Sequence, residues 1–297
     1  LSIVLDILHG FLFGVEWTRY LNNIKLLCPD SRSRWNERMN KLAVFAVLLI
    51  ANAVQPCAGQ QADKAPSAKD LEAAGLSRLS PRFPVWLDAK NKRVVMVGRI
   101  CLREGQMEMF ACPSRTKEHE SIVAVPTQVY IVHAALVAAG GEPGNPARFV
   151  PEYVAARGTE VEITLYWTDE KGKRQKGRAQ DWLHNLKTDK PMTEPWVFGG
   201  SGFWVDPATG QRHYQAEDGD FICVSNFASA MLDIPVESSA SNSALLYEAA
   251  TAKIPPMGTQ VTVVLTPLLK NLPADRGDDP KTDLIPLPKD EDPVPAE

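Results

Sequence analysis

Prolines and glycines interrupt this chain so often that few apolar runs outlast a single β-strand: 23 Pro and 19 Gly are spread over 297 residues, between short runs of Val, Ile, Phe and Trp. Proline removes a backbone donor and fixes φ, and glycine favours turns, so this spacing suits many strands joined by turns and leaves little room for long helices. The fold class predicted is α+β: β-rich, built of antiparallel hairpins, with one main helix at about residues 127–139. With 44% hydrophobic residues the chain has enough apolar material for one or two packed domains.

A net charge of -4 and a pI near 5.8, without a dense Lys/Arg block, remove the counterion release on which sequence-independent nucleic-acid binding depends. No nucleic-acid partner is expected. From Met39 the order is Asn40-Lys41, the apolar run 42–50, then small residues around Ala51, Ala53, Ala58 and Gly59, which is the pattern of a basic n-region, an h-region and a cleavage zone. A spanning helix needs about 20 apolar residues, and Asn52, Gln55 and Pro56 break this run first. Residues 39–59 are therefore read as a cleavable signal peptide, cut after Ala58 or Gly59 with Ala53 as the second option. The protein is expected to be periplasmic or secreted; the alternative is an N-terminal membrane anchor through an uncleaved signal. Pro56 directly before Cys57 resembles no lipobox. Residues 1–38 open with Leu and read as an overlong gene start or an extension.

Residues 60–80, rich in Ala, Lys and Ser, read as a linker, and 271–297, with six prolines and eight acids, as a disordered acidic tail. The folded domain is expected over 81–270, in two halves, 81–150 and 151–270. Val85 to Leu102 alternates around the turn 88–92, and strands are expected at 160–168, 175–181, 196–205, 214–226 and 260–267. Trp86-Leu87-Asp88 with Arg93, and Trp204-Val205-Asp206 with Arg212, read as two similar hairpins. Thr127 would cap the helix, with Val129, Val132 and Leu136 as its buried stripe and Gly140 at its end. A further hairpin is expected at Glu104-Gly105, pairing Leu102 with Met107 and Cys101 with Glu108. In that register the Cα atoms of Cys101 and Cys112 stand roughly 13 Å apart at about 3.3 Å per residue, too far for the roughly 7 Å a disulfide tolerates.

The stretch from Cys101-Leu102-Arg103-Glu104-Gly105 through Lys117-Glu118-His119-Glu120-Ser121 to His133-Ala134-Ala135-Leu136 and Gly141-Glu142-Pro143-Gly144 resembles the YdjY-like domain, a family of exported bacterial proteins; the long second half resembles the planctomycete-type form. The resemblance implies export and fold kinship rather than an activity. The ferredoxin-like label sometimes attached to that family does not carry over, because four closely spaced cysteines are missing.

Candidate chemistry gathers around Lys117, Glu118, His119, Glu120, Ser121 and His133, as a ligand site or as a structural polar network. His119 and His133 with Cys101 and Cys112 supply ligand types that zinc or copper accepts, but the spacing is not that of a known metal motif: Val123 stands where a zincin needs its second His. Ser121 and Ser201 are the visible nucleophiles. Gly199-Gly200-Ser201-Gly202-Phe203 misses the nucleophile elbow at its last position and lacks the Lys of a P-loop. Trp196, Phe198, Phe203, Trp204, Tyr214 and Phe221 form either an aromatic groove or part of the core. No catalytic motif is complete, so a non-enzymatic envelope module binding another envelope protein or a small ligand is the leading expectation. A metal-binding or redox enzyme using His119 and His133 with Cys101 and Cys112 is the alternative.

Overall fold

The computed structural model describes residues 75–238 and 245–269. The expected signal peptide, the 1–38 segment, most of the linker and the acidic tail lie outside these residues. Chain order runs β1 (Ser77–Arg78), β2 (Val85–Asp88), β3 (Arg93–Ile100), β4 (Met109–Pro113), β5 (Ser121–Val125), helix α1 (Val129–Ala138), β6 (Pro143–Asn145), β7 (Arg157–Gly158), β8 (Glu160–Thr168), β9 (Arg174–Arg178), β10 (Leu183–Asn185), β11 (Lys190–Pro191), β12 (Trp196–Phe198), β13 (Phe203–Val205), β14 (Arg212–Tyr214), β15 (Ile222–Cys223), β16 (Leu232–Asp233), β17 (Tyr247–Ala249) and β18 (Gln260–Pro267).

Strands β3, β18, β8, β12, β16, β15, β4 and β5 pair in that order, and β5 pairs back onto β3, closing an eight-stranded barrel. This corrects the α+β expectation. The architecture is mostly sheet, with one α-helix among the described residues, and two of the barrel's pairings, β4–β5 and β15–β16, are parallel rather than hairpin-like. The strand pattern could suggest strands but not closure, since closure depends on β3 changing partners along its length. Its first residues pair with β2 and its last two with β5. Gly98 sits at the change: a Cβ there would lie 2.7 Å from the carbonyl oxygen of Ala124 and 2.8 Å from Cγ1 of Val123.

Inside the barrel, the alternating residues Val94, Met96 and Ile100 of β3 share one core with Val261, Val263 and Leu265 of β18 and Val161, Ile163 and Leu165 of β8. A barrel of this strand number encloses just enough room for side chains to fill it. The opposite faces of the same strands are covered too, where Trp86, Val95, Val97, Tyr166 and Val264 cluster with Leu76. Ser77 and Arg78, at the end of the expected linker, add a short strand to β2. The expected boundaries at 160–168 and 260–267 coincide with β8 and β18, while 214–226 is mainly a 3-10 turn at Gln215–Asp218 followed by the short β15. Both Trp-bearing hairpins form, as β2–β3 and β13–β14.

Helix α1 buries Val129, Val132, Ala135 and Leu136, as the stripe predicts. Its cap differs. Gln128, not Thr127, occupies the N-cap position without a side-chain cap bond, and the carboxylate of Glu217 instead accepts the Tyr130 N–H at 2.9 Å. A remote acid thus serves the positive end of the helix, where a free N–H group would otherwise lack a partner. Gly140 takes φ +99 after the last turn, a conformation that glycine reaches without the Cβ penalty. No helix among the described residues is long and apolar enough to cross a membrane.

The hairpin expected at Glu104-Gly105 does not form. Met107 N–H donates to Tyr247 O, Ala249 N–H donates to Gly105 O, and the guanidinium of Arg103 holds the carbonyls of Thr251 and Ile254. The segment after β3 is therefore drawn onto β17 and the 251–254 turn, and β4 enters the barrel between β15 and β5 instead of returning beside β3. Long-range pairing overrode a locally plausible turn, and it changed the surroundings of both cysteines.

Candidate functional site

Two acids lie in stretches that are otherwise buried and apolar: Glu108 between Met107 and Met109, and Asp220 just before Phe221. An ionised carboxylate in such a place is costly unless it is paired. Lys117 supplies the partner, with Nζ 2.9 Å from Asp220 Oδ1 and 3.6 Å from Glu120 Oε1. Its aliphatic stem lies across Gly219, where a Cβ would come within 2.6 Å of Lys117 Cδ, and its ammonium sits 4.5 Å from the centre of the Phe227 ring. Burial alone would lower the Lys117 pKa, but the Asp220 carboxylate and then Glu120 outweigh it and hold the ammonium charged. Glu108 is pushed up by burial and by the neighbouring Glu120 carboxylate.

From Asp220 the seam continues. Ser229 Oγ donates a short hydrogen bond to Asp220 Oδ2, and Ser201 Oγ donates to Ser229 O at 2.6 Å. The neighbouring Gly200 carbonyl accepts from the Tyr214 hydroxyl at 3.0 Å, whose oxygen lies 2.9 Å from His133 Nδ1. The single hydroxyl proton of Tyr214 is engaged with Gly200 O, so the Tyr214 oxygen accepts from His133 Nδ1–H, which selects that tautomer of the neutral ring. Burial lowers the His133 pKa and so favours the neutral form. The loop makes this contact with two successive left-handed residues, Gly200 at φ +87 and Ser201 at φ +57, the latter uncommon for a residue with a Cβ.

The sequence candidates therefore divide. Lys117, Glu120 and His133 belong to one seam running along the 117–120 turn, the 219–229 segment, the Gly199–Gly202 loop and α1. Ser121 is buried beneath it, its hydroxyl donating to Lys117 O at 2.7 Å. Glu118 points to its own turn, accepting Arg115 N–H at 2.7 Å, and His119 leaves 77% of its side chain in solvent. Cys101 and Cys112 lie on either side of β5. Among the described residues no three His, Cys, Asp or Glu side chains gather as a metal site, so His119, His133, Cys101 and Cys112 are not brought together as one ligand set. Glu108, Asp220, Ser229 and Glu217 were missed as site residues, and Tyr214 was read only among the aromatics of a groove or the core. The available signal was an acid embedded in an apolar run, at Glu108 and at Asp220; Tyr214 carried no local signal beyond being aromatic.

Lys117→Met is expected to destabilise the protein by about 2 kcal/mol, less than the loss of a fully buried partner because the ammonium is partly solvated. Equilibrium urea unfolding at neutral pH measures it, and an unchanged midpoint would mean that Asp220 and Glu108 do not depend on this charge.

The aromatics divide as well. Trp196, Phe198, Tyr214 and Phe221 are core, whereas Phe203 (57%), Trp204 (48%) and Val205 (51%) are exposed together. Alternation predicts that Trp204 faces away from its two neighbours, so that one face would be buried, but β13 and β14 pair only with each other and both faces of the hairpin meet solvent. Arg212 lies 4.3 Å over Phe203, and Trp204 packs on His213 at 5.4 Å. The hairpin is rooted in the seam through Tyr214, whose ring is 5.3 Å from Phe203. On the same helix face as His133, Tyr130 and Val137 are also exposed.

Fold and site together define a closed, side-chain-filled β-barrel domain with one docked helix and an aromatic hairpin rooted in a polar seam. The chain belongs to the YdjY domain family, whose profile matches residues 85–266, from the start of β2 almost to the end of β18. The match takes in both halves of the domain. No curated protein and no solved structure matches the chain.

Proposed function

We propose that the protein is an exported, non-enzymatic binding module of the cell envelope, and that the β13–β14 hairpin is its contact surface for another envelope protein. The observation that carries this is the joint exposure of Phe203, Trp204 and Val205 on a hairpin with no sheet neighbour. Contiguous exposed apolar side chains are costly on a soluble surface and mark interaction sites, and Trp, Tyr and Phe with Arg are the residue types enriched at protein interfaces. The seam gives the hairpin a firm base, since Tyr214 is tied to His133 and Gly200. Export is supported by the signal-like order of 39–59.

A photo-reactive residue placed at Val205 is expected to capture a partner in intact cells, while the same residue at the exposed turn position Lys90 captures none. Phe203→Ser with Trp204→Ser should abolish the adduct without changing thermal stability by more than about 0.5 kcal/mol, as surface positions tolerate. Equal capture at both positions would defeat the contact-surface reading. Fractionation tests export separately: the mature N-terminus should lie near residue 60, and an intact soluble chain in the cytoplasm would overturn it.

A further inference from the structure

Strands β9, β8, β18, β3, β2 and β1 pair in that order, and alternation gives them an outer face opposite the barrel core. Their registers line residues up across it. One row runs Lys176, Tyr166, Thr262 and Val97; the next runs Arg178, Thr164, Val264, Val95, Trp86 and Arg78. One step beyond the first row, on the same face, Arg174 stands opposite Thr168 and Arg99 opposite Gln260. Five cations and no carboxylate thus stand on an area roughly 24 Å wide, at about 4.8 Å per strand. Arg78 lies 5.5 Å from the centre of the Trp86 ring, and Arg174 and Lys176 lie 5.1 and 5.9 Å from that of Tyr166. Between them, Trp86 Nε1 and Thr262 Oγ1 are buried without a hydrogen-bond partner among the described residues. The acids of this outer face sit at its other end: Asp88, paired with Arg93 at 2.8 Å, and the exposed Glu160 and Glu162.

We infer that this basic face is the docking surface for the chain's own acidic, proline-rich segment, Asp275 to Glu297, whose carboxylates pair with the five cations. Charge is the first argument: residues 271–297 carry eight acids against the three basic residues Arg276, Lys281 and Lys289. Connection is the second. The described chain ends at Leu269, just past β18, the strand that runs through the middle of this face. From Leu269 back to the Val264 row is roughly 17 Å at about 3.3 Å per residue, and Asp275 to Asp283 fall roughly 19 to 43 Å along an extended chain at about 3.1 Å per residue. At the exit, Glu162 lies opposite Thr266, and its like charge leaves the basic rows as the favourable direction. Tethering raises the effective concentration of such a segment to about the mM range, above that of a free acidic partner. A proline-rich chain also brings many carbonyl acceptors and few donors, which suits the unpartnered Trp86 N–H and Thr262 hydroxyl. The inference does not depend on the reading of the β13–β14 hairpin, which pairs with none of these strands.

The test treats the full-length chain with a carbodiimide, which joins a lysine amine to a carboxylate only where the two already touch, and maps the linked peptides by mass spectrometry. The expected result is Lys176 joined to an acid between Asp275 and Asp292, within one chain when isotope-labelled and unlabelled chains are mixed. Lys90 and Lys253, exposed in turns away from this face, serve as controls and should link to the segment far less. In about 1 M salt, where charges are screened beyond about 3 Å, the Lys176 link should disappear. Arg78→Gln with Arg178→Gln leaves the linked groups in place and should weaken the link about fivefold, as the loss of two surface ion pairs predicts. Equal linkage of the segment to Lys90, Lys253 and Lys176 would overturn the inference, and so would a link between chains. Lys176 joined instead to Asp63, Asp70 or Glu72, or joined to nothing, would overturn it too. The native chain carries the primary readout, so a variant that fails to fold leaves the test intact.

Discussion

Gly98→Ala is expected to cost about 3 kcal/mol of folding stability, the upper part of the range for forcing an extra carbon into a packed core, because the new Cβ would stand 2.7 Å from a backbone oxygen of β5. A flexible side chain could yield, but the carbonyl of Ala124 is part of the strand that closes the barrel onto β3. The methyl group either parts those two strands or strains both. Gly172→Ala is the control: Gly172 takes φ +75 with nothing within 4 Å of a Cβ, so that variant pays only the left-handed backbone penalty of about 1 kcal/mol. Urea unfolding of the two variants beside the native protein gives the comparison. A Gly98→Ala loss no larger than that of Gly172→Ala would mean that β3 and β5 do not meet as closely as described.

The second large effect concerns Asp233, which is buried in β16 and is pushed up by burial to about 7. Its Oδ1 accepts from Ile234 N–H at 2.8 Å and Asn226 Nδ2 at 3.1 Å, and the Phe227 and Ala147 backbones also favour the ionised form, yet desolvation prevails. Nearby Tyr153 is raised to about 12 by its own burial and by the Asp233 and Glu237 charges. In the unfolded chain the carboxyl titrates near 3.8. Between pH 7 and 4 the folded state therefore holds a proton that the unfolded state lacks, and stability rises as pH falls, by about 1.4 kcal/mol per unit and roughly 4 kcal/mol in all. Above pH 7 both states are ionised and the dependence ends. His133 runs the other way. Its lowered pKa means that its contribution is present above about pH 6.5 and is lost on acidification below that, so the native curve alone mixes the two. Asp233→Asn separates them: the amide adds a pH-independent offset, and the difference between the two proteins should slope across pH 4 to 7 and flatten above it. Parallel stability curves over that range would show that Asp233 is ionised in the fold at neutral pH.

What could be read in advance followed local pattern. The alternation in 160–168 and 260–267 marked β8 and β18 to the residue, and the helix stripe of Val129, Val132 and Leu136 was visible because side-chain period reports directly on which face is buried. The β2–β3 turn was legible too, and Asp88 justifies it by accepting from Asn91 and pairing with Arg93 at 2.8 Å. The polar seam was half legible. Lys117, Glu120 and His133 stood out as chemistry-bearing residues, but the groups they meet, Asp220, Ser229, Gly200 and Tyr214, come from segments more than 60 positions further on. Nothing local connects them, and the aromatic run around Trp204 did not disclose that its hairpin stands without a sheet neighbour.

Period, turn residues and the placing of charge by themselves determined that this would be a strand-rich domain with one main helix, because those features act over a few residues through sterics and burial. The tertiary structure alone decided that the strands close into a ring, that β4 runs beside β5, and that Cys101 and Cys112 flank β5 from opposite sides. These outcomes follow from which distant backbone edges satisfy each other's hydrogen bonds, a competition among many segments that no single segment encodes.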